Sequence, residues 1–200
     1  MARAEHMHAI SAVVMGILVG GQARRMGGVQ KALLRPPHGD AADTLVAALA
    51  RMGRAAGLEV VLLGEASLGP AALDLPQLPD AEPGVGPLGG LSSLLAYAAE
   101  RRAVAIACDM PYVTAALLAR LLNERPQAML LAPRDPRSGK WQALFARYDP
   151  QVRPVLSAAL ADGERSFQRL FARIDVTELT LTGAEHDQLR DWDTPEDMRR

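Results

Sequence analysis

The stretch Ala12-Val13-Val14-Met15-Gly16-Ile17-Leu18-Val19 runs without interruption into Gly20-Gly21-Gln22-Ala23-Arg24-Arg25-Met26-Gly27-Gly28-Val29-Gln30-Lys31. The first part has no polar side chain and reads as a strand buried on both faces. The glycine pairs that follow allow backbone N–H groups to close around an anion without Cβ clashes. Arg24, Arg25 and Lys31 give the loop three positive charges, and it carries no acid. A planar guanidinium fork and a mobile ammonium both match phosphate oxygens. A buried strand emptying into such a loop is the start of an α/β domain that holds phosphate. It is not the common P-loop, which needs Gly-Lys-Ser/Thr; Lys31 lies three residues after Gly28 and neither Ser nor Thr follows it.

Outward from this loop, strand and helix patterns alternate. Helices are predicted over 41–56, with Leu45, Val46, Leu49 and Met52 on one face, and over 88–101, 114–123, 152–161 and 166–171, with another opening at Pro195. Strands are predicted over 59–63, 104–108, 128–132, 142–148 and 176–181. Residues 64–86 read as irregular because Pro70, Pro76, Pro79 and Pro83 interrupt any long element. Residues 134–140 read as an exposed hairpin loop, which makes 142–148 a returning, antiparallel strand. The expected fold is a single α/β domain with a mostly parallel sheet, one antiparallel strand and helices on both faces. In such sheets ligands sit beyond the carboxyl ends of the strands, where Gly20, Gly21 and Asp109 fall.

Composition narrows the function. The chain has 200 residues, which suits one domain of 12–200 behind a flexible tail of 1–11. Lys and Arg number 22 against 23 Asp and Glu, so no global electrostatic footprint for nucleic acid exists and anion binding must be local. No segment reaches the ~18 apolar residues of a membrane span. The apolar run after Arg3 is read as the first strand and not as a signal peptide, since cleavage there would destroy the glycine loop. The one cysteine, Cys108, excludes an internal disulfide and favours a reducing, cytoplasmic setting. His6 and His8 fall in the tail and are given no metal role.

Two further segments carry chemistry. Asp80-Ala81-Glu82-Pro83-Gly84-Val85-Gly86-Pro87-Leu88-Gly89-Gly90 contains Gly84-x-Gly86-x-x-Gly89, with Asp109 lying 20 residues beyond. That is the dinucleotide pattern of dehydrogenases, but its glycines should follow a strand directly, and here a proline-rich acidic segment precedes them. The glycines permit close approach of a flat ring. Asp80 is suited to accept hydrogen bonds from ring N–H groups or a hydroxyl, or else is a solvated loop acid. In Cys108-Asp109-Met110-Pro111 an acid ends a buried strand. Burying it costs several kcal/mol, on the order of 3–5, unless it is paired or metal-bound; Mg²⁺ takes such oxygen ligands and bridges to phosphates. Cys108 itself reads as a packed strand residue. Asp191-Trp192-Asp193-Thr194-Pro195 offers a second acid, Asp193, and also reads simply as a helix start capped by Thr194.

These segments, in this order, resemble the four signatures of the molybdenum cofactor guanylyltransferases, over nearly the whole chain. The first signature, Leu-Ala-Gly-Gly-x-x-x-Arg-Met-Gly-Gly-x-Asp-Lys, is matched by both glycine pairs, Arg25-Met26 and Lys31; Val19 stands where Ala is usual and Gln30 where Asp is usual. Asp80 with Gly84-x-Gly86-Pro87-Leu88-Gly89-Gly90 resembles the second, and Cys108-Asp109-x-Pro111 the third. Asp191-x-Asp193-Thr194-Pro195 stands where these enzymes carry Asn-x-Asn-Thr-Pro and is closer to cytidylyltransferase relatives. The resemblance implies a Rossmann-like three-layer fold and transfer of GMP from GTP to the phosphate of molybdopterin, with Mg²⁺ as cofactor. It implies a nucleotide site of Leu18, Val19, Gly20, Gly21, Lys31, Asp80, Gly86, Pro87, Leu88 and Asp109. It makes Arg25 and Lys31 catalytic and Asp109 and Asp193 metal ligands. It places Lys140–Ala146 on the acceptor side and Arg165-Ser166-Phe167 near the acceptor phosphate or on a charged surface. Transient contact with cofactor insertion proteins or apo-molybdoenzymes, and a monomer or small homo-oligomer, complete the expectation. A CTP-using relative, or a nucleotide-binding module without catalysis, stands as the alternative.

Overall fold

The computed structural model describes residues 12–19, 31–37, 43–65, 68, 74–81 and 84–192. The expected tail of 1–11, Gly20, Gly21, Arg25, Asp193 and the helix expected at Pro195 lie outside the described residues.

The described residues form seven strands: β1 (Val13–Leu18), β2 (Glu59–Leu63), β3 (Gln77–Leu78), β4 (Arg102–Ala107), β5 (Leu130–Ala132), β6 (Phe145–Tyr148) and β7 (Val176–Glu178). The helices are α1 (Leu45–Ala55), α2 (Pro87–Ala98), α3 (Ala115–Asn123), α4 (Val152–Ala161), α5 (Phe167–Phe171) and α6 (Gly183–Gln188), with a short 3₁₀ turn at Lys31–Leu33. The strands form one sheet in the order β3-β2-β1-β4-β6-β5-β7. Only β6 runs antiparallel to its neighbours; the remaining pairs are parallel. This is the expected architecture.

Alternation along the strands divides the core between two faces. Val14, Val61, Ala103 and Ala105 face one layer, with residues of α2, α4 and α5. Met15, Ile17, Val60, Leu62, Val104 and Ile106 face the other, with residues of α1 and α3. At Gly16 the first layer presses directly on the backbone: a Cβ there would lie 2.7 Å from Leu63 Cδ1 and 2.8 Å from Leu94 Cδ2. On the second face one cation is buried. Arg147, 1 % exposed, sends its guanidinium to the carbonyls of Leu121, Leu122, Glu124 and Arg125, at and beyond the last turn of α3.

Several boundaries differ from expectation, each for a local reason. The first helix begins at Leu45, not 41, because Thr44 accepts the Ala47 N–H as its cap. The returning strand begins at Phe145, because the Phe145 N–H turns back to the Gln142 carbonyl. The strand expected over 128–132 begins at Leu130, since Ala128 N–H closes a turn onto the Arg125 carbonyl. The helix expected to reach 101 ends at Ala98, followed by Ala99 at φ 56°. The region read as irregular contains β3, held by the Leu62 N–H on the Pro76 carbonyl and the Gly64 N–H on the Leu78 carbonyl. α6, not foreseen, rests on a capping box in which Thr182 and Glu185 bond reciprocally.

Candidate functional site

From β1 the chain builds outward through β2 to β3, then returns to place β4 on the other side of β1. The order therefore reverses between β1 and β4, and a crevice opens beyond their carboxyl ends at such a point. The edges of this crevice are pinned by backbone bonds. Val19 N–H donates to the Leu63 carbonyl at 3.0 Å, and Cys108 N–H to the Leu18 carbonyl at 3.1 Å. Leu18 and Val19 thus end the strand immediately before the glycine loop, and Asp109 follows two residues after Ala107, the register partner of Leu18.

Lys31, which opens the 3₁₀ turn, reaches Asp109: its Nζ lies 2.9 Å from Oδ2, across 78 residues of sequence. The two side chains are 21 % and 19 % exposed, so the pair sits at the rim of the sheet, neither immersed nor fully solvated. A cation and a carboxylate in contact at a switch point neutralise each other and present both a phosphate ligand and a hard oxygen donor. Next to them Cys108 is buried, and burial followed by the Asp109 charge pushes its thiol up to about 12. Its thiol stays protonated, as a packed strand residue and not a nucleophile.

Asp80 and the second glycine segment form the neighbouring wall. Gly86, at φ 71° and ψ −152°, holds the N-cap position of α2 with Pro87 beginning the helix; that backbone region is essentially open to glycine alone. Leu88 is fully buried in the core, so only its main chain can face a ligand. Asp80 lies against the helix at Gly90, where a Cβ would stand at ordinary contact distance, 3.5 Å, from Asp80 Oδ1 and at a tight 3.1 Å from Leu18 Cδ1. Burial, with the Glu65 charge second, raises the Asp80 carboxyl above the ordinary carboxylate range. The residues Pro79 to Pro83 separate β3 from Gly84, and β3 is an edge strand. The dehydrogenase arrangement, strand directly into glycine loop, is therefore not formed.

The C-terminal segment reaches the same place. Trp192, 5 % exposed, donates its backbone N–H to the Asp109 carbonyl at 2.9 Å. Its indole meets Tyr112 edge-on, with centroids 6.2 Å apart at 84°. Neither aromatic residue was foreseen as part of the site. The signal was present in Asp191-Trp192-Asp193: an apolar residue between two acids in an extended chain points inward while its neighbours point out. Beside this segment, between the β5–β6 loop and α6, lies a cavity of about 730 Å³ whose lining includes Asp135, Arg137, Gln142, His186, Arg190 and Asp191. Lys140 is exposed, and Trp141 is held by paired bonds between its main chain and the Gln168 amide. Arg165 is exposed and bonds the Glu164 carbonyl.

The structure thus brings together Leu18, Val19, Lys31 and Asp109, and places the Asp80–Leu88 wall along α2. Among the described residues no helix is long and apolar enough to cross a membrane. A family model for the MobA-like NTP transferase domain matches residues 15–178. The chain is 36 % identical over 187 residues to a molybdenum cofactor guanylyltransferase of Pseudomonas entomophila, covering 90 % of this chain and 93 % of that one. It is 33 % identical to a protein of the same name from Xanthomonas euvesicatoria, covering 92 % and 91 %. Among solved structures, molybdopterin-guanine dinucleotide biosynthesis protein A of Archaeoglobus fulgidus superposes with a TM-score of 0.72 at 21 % identity, over 93 % of this chain and 95 % of that one. With the switch-point geometry and these matches along most of its length, the chain belongs to the MobA-like NTP transferase family.

Proposed function

We propose that this protein is a molybdenum cofactor guanylyltransferase: a phosphate oxygen of molybdopterin attacks the α-phosphorus of GTP, the bond to the β-phosphate oxygen breaks, and pyrophosphate leaves. The observation that carries the reading is the Lys31–Asp109 pair at the β1/β4 switch point. The names and extent of the relatives support the choice of guanosine and molybdopterin. Asp191-x-Asp193 favours a second reading, a cytidylyltransferase with the same acceptor.

The transfer asks the protein for positioning and charge neutralisation more than for covalent chemistry. The acceptor phosphate is already ionised at neutral pH, so no general base is required. Lys31, the loop cations including Arg25, and the glycine N–H groups hold the triphosphate and its leaving pyrophosphate. Asp80 and the backbone of Gly86 to Leu88 receive the base and ribose. The cavity beside Asp191 receives the acceptor, with Arg137, His186 and Arg190 as partners for its anionic groups. A magnesium ion fits the donor set. Asp109 is one hard carboxylate at the rim, and the described residues hold no cluster of three or more His, Cys, Asp or Glu; Mg²⁺ binds through one or two carboxylates plus substrate phosphates. Asp109, with Asp193, would hold it, and it would supply charge neutralisation on the phosphate oxygens. The reading includes a cytoplasmic setting and hand-over of product to insertion proteins or apo-molybdoenzymes.

The test is turnover of GTP with molybdopterin, with calorimetric titration of GTP and CTP alongside. Lys31→Ala is expected to lower kcat by ~10²–10³-fold, the scale of a lost charge-stabilising donor. The melting temperature should change by only a few degrees, ~3 °C, since the pair is at the rim. Asp109→Asn should lose Mg²⁺-dependent turnover. Full turnover in either variant refutes the assignment, tighter binding of CTP moves it to the cytidine reading, and nucleotide binding without pyrophosphate release moves it to a non-catalytic module.

A further inference from the structure

We infer that Trp192 is a positioning residue for Asp109, locking the turn that carries this carboxylate onto the C-terminal segment. The inference rests on the reading above, in which Asp109 meets the metal–nucleotide complex. Asp109 lies in the turn after β4, whose last tie to the sheet is the Cys108 N–H on the Leu18 carbonyl. Among the described residues the strand ladder gives the Asp109 peptide no further tie beyond that point. The Trp192 N–H does so from the other side, at 2.9 Å from the Asp109 carbonyl.

The bond is held by its surroundings. The Trp192 indole is 5 % exposed. Its Nε1–H donates to the Tyr112 hydroxyl at 3.3 Å, and the two rings meet edge to face. The Arg190 guanidinium stands 5.2 Å from the centre of the Tyr112 ring. Further along the same two segments, the Thr114 hydroxyl donates to the Gln188 amide oxygen at 2.8 Å. These contacts join residues 188–192 to 109–114, and Trp192 makes the ones to Asp109 and Tyr112. Two consequences meet at this residue. Its burial fixes the direction in which Asp109 leaves the sheet, and it orients the exposed Asp191, which lines the neighbouring cavity. A carboxylate whose backbone rocks by an ångström loses much of its value as a ligand, because ligand orientation is set by such supporting contacts.

The test measures metal affinity as well as rate. Mn²⁺ binding is followed by electron paramagnetic resonance in the presence of the non-cleavable α,β-methylene analogue of GTP. Trp192→Ala is expected to weaken Mn²⁺ binding by ~10-fold or more, the usual scale for a support behind a metal ligand. The same variant should lower kcat by ~10-fold while KM for GTP moves by less than ~3-fold, a split that separates positioning from nucleotide affinity. Trp192→Phe, which keeps the apolar plug and the ring edge, should restore both to within ~3-fold of wild type. If Ala at 192 prevents folding, Trp192→Leu keeps the plug without the ring edge and is expected to weaken Mn²⁺ by ~3-fold or more. Wild-type Mn²⁺ affinity in the folded fraction of the Ala or Leu variant overturns the positioning role and leaves the guanylyltransferase reading intact. Failure of the wild-type protein itself to bind Mn²⁺ with the analogue overturns both.

Discussion

Replacing Arg147 with methionine isolates one buried cation and gives a magnitude that the structure sets. Arg147 projects from β6 and is 1 % exposed. Its Nη1 donates to Leu121, Leu122 and Glu124 carbonyls at 2.8, 2.8 and 2.9 Å, and its Nη2 to the Arg125 carbonyl at 2.6 Å. The Leu121 and Leu122 carbonyls are among those that the end of α3 leaves without helical partners, at the negative end of its dipole, while Glu124 and Arg125 lie just beyond it and the Arg125 carbonyl also accepts from the Ala128 N–H. Burial, with the Arg102 charge second, lowers the Arg147 pKa, so the protein opposes this cation and the carbonyls must compensate. Methionine fills much the same length and donates nothing. The Leu121 bond is buried and has no water to replace it, which costs about 1–3 kcal/mol; the three others are partly exposed and recover most of their loss, leaving about 0.5 kcal/mol each. The sum is about 3 kcal/mol, or a fall of about 6–12 °C in Tm for a chain of this size. Thermal unfolding followed by circular dichroism measures it, with urea unfolding as the check on ΔG. Lysine at 147 has donors but no fork, and should fall between the two. A methionine variant melting within ~2 °C of wild type, or Lys and Met variants melting together, would refute the reasoning.

Two further predictions concern the Gly86 turn and α6. Gly86→Ala forces a Cβ into φ 71°, ψ −152°, at a cost of about 1–3 kcal/mol; calorimetry should show weaker GTP binding, and wild-type affinity would remove the Gly86 turn from the nucleotide site. Glu185 accepts from the Thr182 N–H and hydroxyl and pairs with Arg120, and these partners, the backbone N–H first, hold its carboxyl down to about 2, from an ordinary 4.5. A depressed native value means stability that is full above 4.5 and lost as pH falls toward 2. The stability gap between wild type and Glu185→Gln should therefore be flat from neutral pH down to ~5 and close below it. A gap that persists unchanged at pH ~2 would contradict the capping role.

What the sequence made legible follows the strength of its local signals. The apolar runs 12–19 and 104–108 announce two strands buried on both faces; these form at Val13–Leu18 and Arg102–Ala107, the second starting earlier than its apolar run because Arg102 and Ala103 also pair with β1. Val152–Ala161 was read with both ends correct because an amphipathic stripe and Gly163 bracket it. β3 was hidden because it is two residues long among prolines, and its bonds come from β2 rather than from its own composition. α6 was hidden because it buries no residue and shows no apolar face; one reciprocal cap specifies it. The Lys31–Asp109 contact was legible as two separate motifs and not as a pair, since only the β1–β4 pairing brings them together. Arg147 was passed over because a single cation in a strand pattern has no signature; its role depends on where α3 ends.

The bond between Trp192 and Asp109 also has a meaning in time. At a synthesis rate of ~5–20 residues per second, the ribosome makes Asp109 roughly 4 to 17 seconds before it makes Trp192. Once β4 has left the exit tunnel it can join β1, and Lys31 can find Asp109, while the Asp109 carbonyl still lacks the partner that the Trp192 N–H supplies. The strands that frame the switch point, β1 and β4, are therefore made well before the segment that ties down the Asp109 turn. Closing the Asp109 turn thus waits on a residue made well after the strands around it.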